Sequence, residues 1–335
     1  MIEKISAIDA LKLKNTIFID VRSPGEFEKD HVLEAVNIPI LTDEERHIVG
    51  TMYKQVSQDL ALEKGLGYYE KRIPQITQAA EKYKDKTLIV YCWRGGLRSK
   101  TIATLFDSLG YKTYQLNKGY KAYREHILDK LKNFKLKPKL FVLHGLTCTG
   151  KTVLLQKLPN SIDLEGLAQH RGSLYGAIGL KPRTQKMFDN LLLNRLEELN
   201  DKEFIFIEGE SRRVGDLMLP DFLWKEMCNA TNVLVERDLN IRVKEMVKEY
   251  FLDENIVEEI KEISARLWKV ISKKKKQEML DFIDAKEFEK AAEILLVDYY
   301  DPLYKHSLDK LNYSFTVNCD NLDKCIKEIL GKVNK

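Results

Sequence analysis

Two short stretches of this sequence hold residues whose types and spacing can do chemistry. The first is YCWRGGLRS, Tyr91–Ser99. Cys92 closes an apolar run, and two glycines and two arginines follow within six residues. Gly95 and Gly96 let the backbone curl so that its amides point inward. Those N–H groups, with the positive end of a following helix, favour the thiolate and can hold an anion beside it. Arg94 and Arg98 add guanidinium forks suited to tetrahedral oxyanions, and Trp93 and Leu97 complete the loop. The chemistry on offer is a soft nucleophile next to an oxyanion. A cysteine that merely packs at a strand end would leave the glycines and arginines without a purpose.

The second stretch is GLTCTGKT, Gly145–Thr152. It fits G-x-x-x-x-G-K-T between a predicted strand, 140–144, and a predicted helix, 151–158, which is the setting of a Walker A loop. The backbone of Gly145, Thr147, Thr149 and Gly150 would cradle a diphosphate. Lys151 would reach its oxygens, and Thr152 is suited to Mg²⁺. Cys148 reads as a small side chain filling the turn rather than as a second nucleophile. The acid that would assist a metal is open between residues. FIFIEGES ends its strand in Glu208 with Glu210 two residues on, and Asp163 closes the run SID. Each also reads as a plain strand-end acid, and the metal itself is unknown. The lack of a strand-end aspartate in FIFIEGES weakens a hydrolysing nucleotidase more than it weakens phosphate binding.

These loops need elements to place them. The first part of the chain predicts strands at 16–21, 35–40, 87–92 and 111–116, with helices around 77–83, 97–109 and 120–131. That alternation argues for an α/β domain with a largely parallel sheet. The segment KLKNFKLKPK (130–139) is lysine-rich, holds Pro138 and reads as a boundary between domains 1–133 and 134–335. Beyond it the pattern restarts, with strands at 140–144, 204–208, 232–236 and 313–317. A mainly helical stretch at about 239–300 reads as an insertion on this second α/β core. Its run Lys273–Lys276 is more often a solvated face than a binding site.

Bulk properties agree with two soluble domains. A length of 335 residues favours more than one domain. No apolar run reaches the roughly 18 residues of a membrane span, and the N-terminus carries acids unlike a secretory leader. Five cysteines at unrelated spacings suit a reducing cytoplasm rather than a disulfide framework. A net charge of +4 permits nucleic-acid binding through local patches without requiring it.

DVRSPGEFEKDHV (20–32), AVNIP (35–39) and CWRGGLRS together resemble a rhodanese domain, over roughly residues 1–130. That family carries sulfur as a persulfide on its loop cysteine. Five residues separate Cys92 from Arg98, one more than in the common single-domain form. The longer loop resembles those of rhodanese-like phosphatases and arsenate reductases, and a wider cradle suits a phosphate-sized ligand. Asp20 and Arg22 read as an ion pair that stabilises the loop.

Two more segments sit at predicted strand ends, where ligands of open α/β sheets bind. DLEGLAQHRGSLYG (163–176) reads as one loop with an acid, His170 and Arg171. EGESRRVG (208–215) sets two acids beside Arg212 and Arg213. In order with the two loops, this set resembles the tRNA 2-selenouridine synthase family over nearly the whole chain, most weakly in the helical stretch. The resemblance implies an N-terminal rhodanese-like domain followed by a P-loop NTPase-like α/β domain with a helical insertion. It implies a cytoplasmic enzyme acting on the 2-thiouridine at the tRNA wobble position, alkylating sulfur with geranyl diphosphate and replacing the S-geranyl group by means of selenophosphate. These are co-substrates, with no tightly bound cofactor, and an enzyme that supplies selenophosphate is an implied partner. The diphosphate is expected at Gly145–Thr152 and selenophosphate at the Cys92 loop. There Cys92 either takes selenium as a perselenide or attacks at the chalcogen. Basic and aromatic candidates for holding an unstacked base are Trp93, His170, Arg171, Tyr175, Arg183, Arg212, Arg266, Trp268 and Lys269, each equally at home in core or solvent. Two rivals use the same motifs: a P-loop kinase or NTPase fused to a sulfurtransferase domain, and a non-catalytic anion sensor.

Overall fold

The computed structural model describes residues 2–265 and 271–333. By packing, the chain divides into one unit of Met1–Asn133 with Thr184–Leu193, and another of Phe134–Arg183 with Asn194–Lys335.

The first unit runs β1 (Glu3–Ile5), α1 (Ala7–Lys12), β2 (Thr16–Asp20), α2 (Pro24–Lys29), β3 (Val36–Asn37), α3 (Asp43–Gln55), α4 (Gln58–Ala80), β4 (Thr87–Tyr91), α5 (Leu97–Ser108), β5 (Thr113–Leu116) and α6 (Gly119–Lys132). Its five strands pair in parallel in the order β1-β5-β4-β2-β3. The central strand TLIVY is buried along nearly its whole length, as expected of a strand covered on both faces. Ile19, Val90, Ile102 and Phe106 anchor the core. Ser23 and Glu26 close a capping box at the start of α2, with Pro24 at its first position.

Two expectations need correction here. The strand anticipated at 35–40 is only Val36–Asn37. The helix anticipated at 77–83 is the tail of the 23-residue α4, continued by a 3₁₀ turn at Glu81–Tyr83, with Pro74 inside the helix rather than before it. The hairpin of α3 and α4 fills the connection from β3 to β4 and was not anticipated at all.

Asp20 and Arg22 are buried, at 0% and 1% exposure. Arg22 donates through Nε and Nη2 to Asp20, through Nη1 to Asp30 Oδ1 at 3.1 Å, and lies 4.4 Å above the Tyr120 ring. Removing one partner of such a pair strands the other charge in the core. Asp20→Ala is therefore expected to cost about 3–5 kcal/mol of unfolding free energy, read from urea denaturation. A loss near zero would mean that Arg22 finds its compensation elsewhere.

The second unit runs β6 (Lys139–His144), α7 (Lys151–Lys157), β7 (Ser161–Ile162), α8 (Leu164–Ala168), α9 (Gln185–Leu199, whose first part belongs to the first unit), β8 (Phe204–Glu208), a short hairpin of β9 (Arg213–Val214) and β10 (Leu217–Met218), α10 (Asp221–Cys228) and β11 (Thr231–Glu236). The helices α11 (Leu239–Tyr250), α12 (Glu254–Ala265), α13 (Lys273–Asp284), α14 (Phe288–Ile294), a π-helical turn at Leu295–Tyr300 and α15 (Asp301–Leu308) follow, before β12 (Phe315–Asn318) and α16 (Leu322–Val333). The sheet is parallel in the order β12-β11-β6-β8-β7, with Phe141, Leu154, Phe206 and Val235 in one core. The helical stretch between β11 and β12 has its own core around Met246, Tyr250, Met279, Ile283 and Tyr300. The segment 163–176, anticipated as one loop, contains α8, because Asp163 caps it by accepting from Gly166 N at 2.7 Å. Arg266, Trp268 and Lys269 lie outside the described residues. Among the described residues no helix is long and apolar enough to cross a membrane.

Candidate functional sites

In the first unit, β4 delivers Cys92 to the N-terminal end of α5. The thiol is buried and its Sγ lies 3.3 Å from Ser99 Oγ. Gln115 on β5 fixes this corner, since its Nε2 donates to Gly95 O, Gly96 O and Ser99 Oγ at 3.0, 3.2 and 2.9 Å. With those carbonyls turned toward Gln115, the N–H groups of Arg94, Gly95 and Gly96 have no acceptor among the described residues. That leaves an amide cradle at a helix start. The loop rests directly on the start of α6: Cys92 O and Trp93 O accept from Tyr120 N and Lys121 N. The approach is so close that a side chain on Gly119, whose φ is +58°, would stand 2.2 Å from Cys92 O. Only glycine fits.

The other loop residues divide. Arg94 is exposed and pairs with no acid among the described residues. Arg98 donates to Glu26 Oε2 at 2.9 Å. Burial raises the Glu26 carboxyl, but Arg98 and Arg46 outweigh it and hold the group below its usual range. Trp93 packs against Tyr120 in a tilted pair and lies under Lys186 Nζ at 4.7 Å. Leu97 is exposed. Ser99 and Gln115, which set the sulfur's surroundings, went unassigned from sequence, although Ser99 closes the motif itself.

In the second unit, the phosphate loop leaves the carboxyl end of the central strand β6, where open α/β sheets place their ligands. Gly145, with φ +157°, passes so close to β11 that a side chain would meet Val235 O at 2.4 Å. Lys151 Nζ donates to Gly145 O and Leu146 O at 2.8 and 3.0 Å, and Thr149 Oγ1 donates to Leu146 O at 2.9 Å. Arg242, buried on α11, braces the loop from outside by donating to Thr147 O at 2.8 Å while it pairs with Asp301. Cys148 packs against the core of the helical stretch, and burial, reinforced by Glu249, pushes its thiol up to about 12. It packs as a neutral thiol.

A cavity of about 920 Å³ opens over this loop. Gly145, Thr147, Cys148, Thr149, Gly150, Lys151 and Thr152 line it together with Asp163, Arg171 and Glu210. The acid that meets the loop is one that sequence reading passed over: Glu165 Oε2 accepts from Thr152 Oγ1 at 3.2 Å. Glu208 stands behind it, buried, and accepts from Glu165 N at 2.6 Å. Burial raises all three glutamates; at Glu165 Lys151 opposes it, whereas repulsion from Glu165 adds to it at Glu208, held well above its usual range, and at Glu210, raised to about 8. Burial likewise raises Asp163. The donor set of hydroxyl and carboxylate oxygens suits Mg²⁺, a hard cation. Among the described residues no three His, Cys, Asp or Glu side chains are grouped to hold a metal by themselves. Thr152 with Glu165 or Glu210 would be the residues to hold it, supplying a hydroxyl and a carboxylate oxygen.

The remaining candidates stand elsewhere. Arg171 lines the cavity but is paired with Glu249. His170 takes Gly172 N on Nδ1 at 3.0 Å, a turn contact outside the cavity lining, and burial lowers its basicity. Arg183 donates to Gly166 O and Leu167 O at the end of α8. Arg212 and Arg213 pair with Asp221 and Asp216 on an exposed edge. Tyr175 is buried, its hydroxyl bonded to Ser264 at 2.9 Å.

The Glu210 carboxyl gives a pH signature. Its folded value, about 8, exceeds the ordinary 4.5. Between these values the folded state binds more protons than the unfolded one, so stability falls as pH rises and the loss is complete above the folded value. Glu210→Gln cannot ionise. In chelator-treated protein it is expected to raise the thermal midpoint over wild type at about pH 9 and to change it little at about pH 5. An equal difference at both pH values would contradict the assigned shift.

A parallel sheet with a cysteine at the base of an amide cradle, joined to a parallel sheet carrying a G-x-x-x-x-G-K-T loop, defines the class: a two-part α/β protein with a cysteine-loop domain followed by a glycine-rich-loop domain. Family comparison agrees, with residues 5–126 matching the rhodanese-like domain and 138–279 matching the tRNA 2-selenouridine synthase AAA domain. The tRNA 2-selenouridine synthase of Sulfurovum sp. (strain NBC37-1) is 32% identical over 354 residues, covering 95% of this chain and 96% of that protein. The one from Nitrosomonas europaea is 34% identical over 259 residues, covering 74% of this chain and 67% of that one. A solved N-terminal domain of a Clostridium difficile 630 protein is 42% identical, covers 37% of this chain and 98% of its own, and superposes with a TM-score of 0.36. The chain belongs to the tRNA 2-selenouridine synthase family.

Proposed function

We propose that the chain exchanges sulfur for selenium on the wobble 2-thiouridine of tRNA in two half-reactions, one at each loop. In the first, the thiouridine sulfur attacks C1 of geranyl diphosphate. The C–S bond forms as the C–O bond breaks, and inorganic pyrophosphate leaves. In the second, selenium from selenophosphate replaces the S-geranyl group at C2 of the base. The C–Se bond forms, geranylthiol departs, and water takes the phosphoryl group as inorganic phosphate. Selenophosphate already carries selenium at the selenide level, so no outside oxidant or reductant enters.

The observation that carries this reading is the pair of phosphate-type cradles in one chain, of which the one at Cys92 has a thiol at its base. Lys151 and Mg²⁺ beside Thr152 would neutralise the departing diphosphate. Apolar side chains also line the cavity over that loop: Trp224 and Met227 from α10, Leu303 and Leu308 from α15, and Leu311 beyond it. Leu303 is 46% exposed, and this group of apolar side chains suits a hydrocarbon chain. Cys92 serves the second half-reaction as its nucleophile at phosphorus: the S–P bond forms as the P–Se bond breaks and frees selenide for C2, and water then cleaves the S–P bond to release phosphate and restore the thiol.

Donor omission tests the scheme. The protein is incubated with thiolated tRNA and each donor in turn, and wobble nucleosides are read by mass spectrometry. Geranyl diphosphate alone should give S-geranyl-2-thiouridine, both donors 2-selenouridine, and selenophosphate alone neither. Formation of 2-selenouridine without geranyl diphosphate would overturn the two-step scheme, and ATP turnover that needs no tRNA, together with no affinity for tRNA, would replace it with the kinase-fusion reading.

A further inference from the structure

Arg237 follows β11 and lines the cavity beside the phosphate loop. Its Nη1 stands 3.4 Å from where a side chain on Gly150 would begin, so the guanidinium lies against the backbone of the loop itself. Four cationic side chains line this cavity, and three have acceptors within the chain. Lys151 bonds the loop carbonyls, Arg171 pairs with Glu249, and Lys248 pairs with Glu245 at 2.9 Å. Arg237 makes no ion pair or hydrogen bond among the described residues, and its Nε is buried without an acceptor. The neighbouring acid, Asp320, has one oxygen on Asp238 N at 2.7 Å and the other on Asn318 Nδ2 at 2.9 Å.

A dehydrated guanidinium nitrogen without an acceptor is costly, so a charge kept there points to an anion that completes it. We propose that Arg237 is a second diphosphate-contacting residue, gripping from the β11 side the same group that Lys151 meets from α7. Its planar fork suits two phosphate oxygens at once. It would act most strongly when the C–O bond of the prenyl donor breaks and the leaving diphosphate gains charge. The proposal rests on the reading that this loop holds a diphosphate.

The test uses the full chain, Mg²⁺ and inorganic pyrophosphate, with affinity read by calorimetry. Arg237→Gln is expected to weaken binding about 10- to 100-fold. Arg237→Lys, which restores charge without the fork, should recover part of that loss, and guanidinium added to Arg237→Gln should recover some geranyl transfer. Equal affinity in wild type and Arg237→Gln overturns the role of Arg237 and leaves the loop reading standing. If wild type itself fails to bind pyrophosphate, the loop reading falls and this inference with it. Should Arg237→Gln not fold, full wild-type affinity in Arg237→Lys would still refute the bidentate grip.

Discussion

Replacing Cys92 with serine is expected to lower 2-selenouridine formation by on the order of 10⁴-fold or more, the scale at which loss of an activated nucleophile is felt, while geranyl transfer to the same tRNA continues. Serine preserves the shape of the corner and can still meet Ser99, but its hydroxyl does not ionise near neutral pH and is a poor nucleophile without an adjacent base. The substitution leaves the bonds from Gln115 to Gly95 and Gly96 in place, so the cradle should persist. S-geranyl-2-thiouridine should accumulate in place of the selenonucleoside, measured by mass spectrometry of digested tRNA. Loss of both activities in a variant that melts like wild type would mean that the two half-reactions share this cysteine.

Lys151→Ala is expected to do the reverse. Geranyl transfer should fall by about 10²–10³-fold, the usual effect of removing one preorganised donor from a developing negative charge. Selenation of tRNA supplied already S-geranylated should continue. Lys151 also ties Gly145 O and Leu146 O together, so its removal loosens the cradle as well as taking away a charge. Both effects act on the same half-reaction. Undiminished geranyl transfer would remove the loop from that step.

Both loops were legible because their chemistry is local. Eight consecutive residues define the phosphate loop, and the strand and helix on either side appear within a few residues of their expected limits. The same holds for Cys92, between β4 and α5. What sequence reading missed is what the fold assembles from a distance. Glu165 meets Thr152 across 13 positions, and Arg237 reaches Gly150 from the end of a different strand, with no motif to announce either. Asp163 drew notice as a strand-end acid, yet its carboxylate turns to Gly166 and caps α8, leaving the approach to Thr152 to the next acid along.

The helices of the first unit show the same limit in another form. Gly65, Gly67 and Pro74 weaken local helical preference in α4, but packing of α4 on α3 and burial of Ala61, Ile76 and Ala80 override it. Thr184–Leu193 packs with the first unit although it follows the phosphate loop in sequence. An amphipathic pattern tells which face is apolar and not which core that face will join. Arg171 and His170 are adjacent in sequence, yet one lines the cavity, held by Glu249, and the other holds a turn.

The most direct measurement mixes the two crippled proteins. Cys92→Ser and Lys151→Ala, each strongly impaired in the full conversion, are combined in one reaction with thiolated tRNA, geranyl diphosphate and selenophosphate, and wobble nucleosides are followed over time. Two separable cradles predict that S-geranyl-2-thiouridine made by the first variant is consumed by the second, so that 2-selenouridine appears after a lag. A mixture as inert as either variant alone, with no selenonucleoside formed while S-geranyl tRNA builds up, would contradict the account.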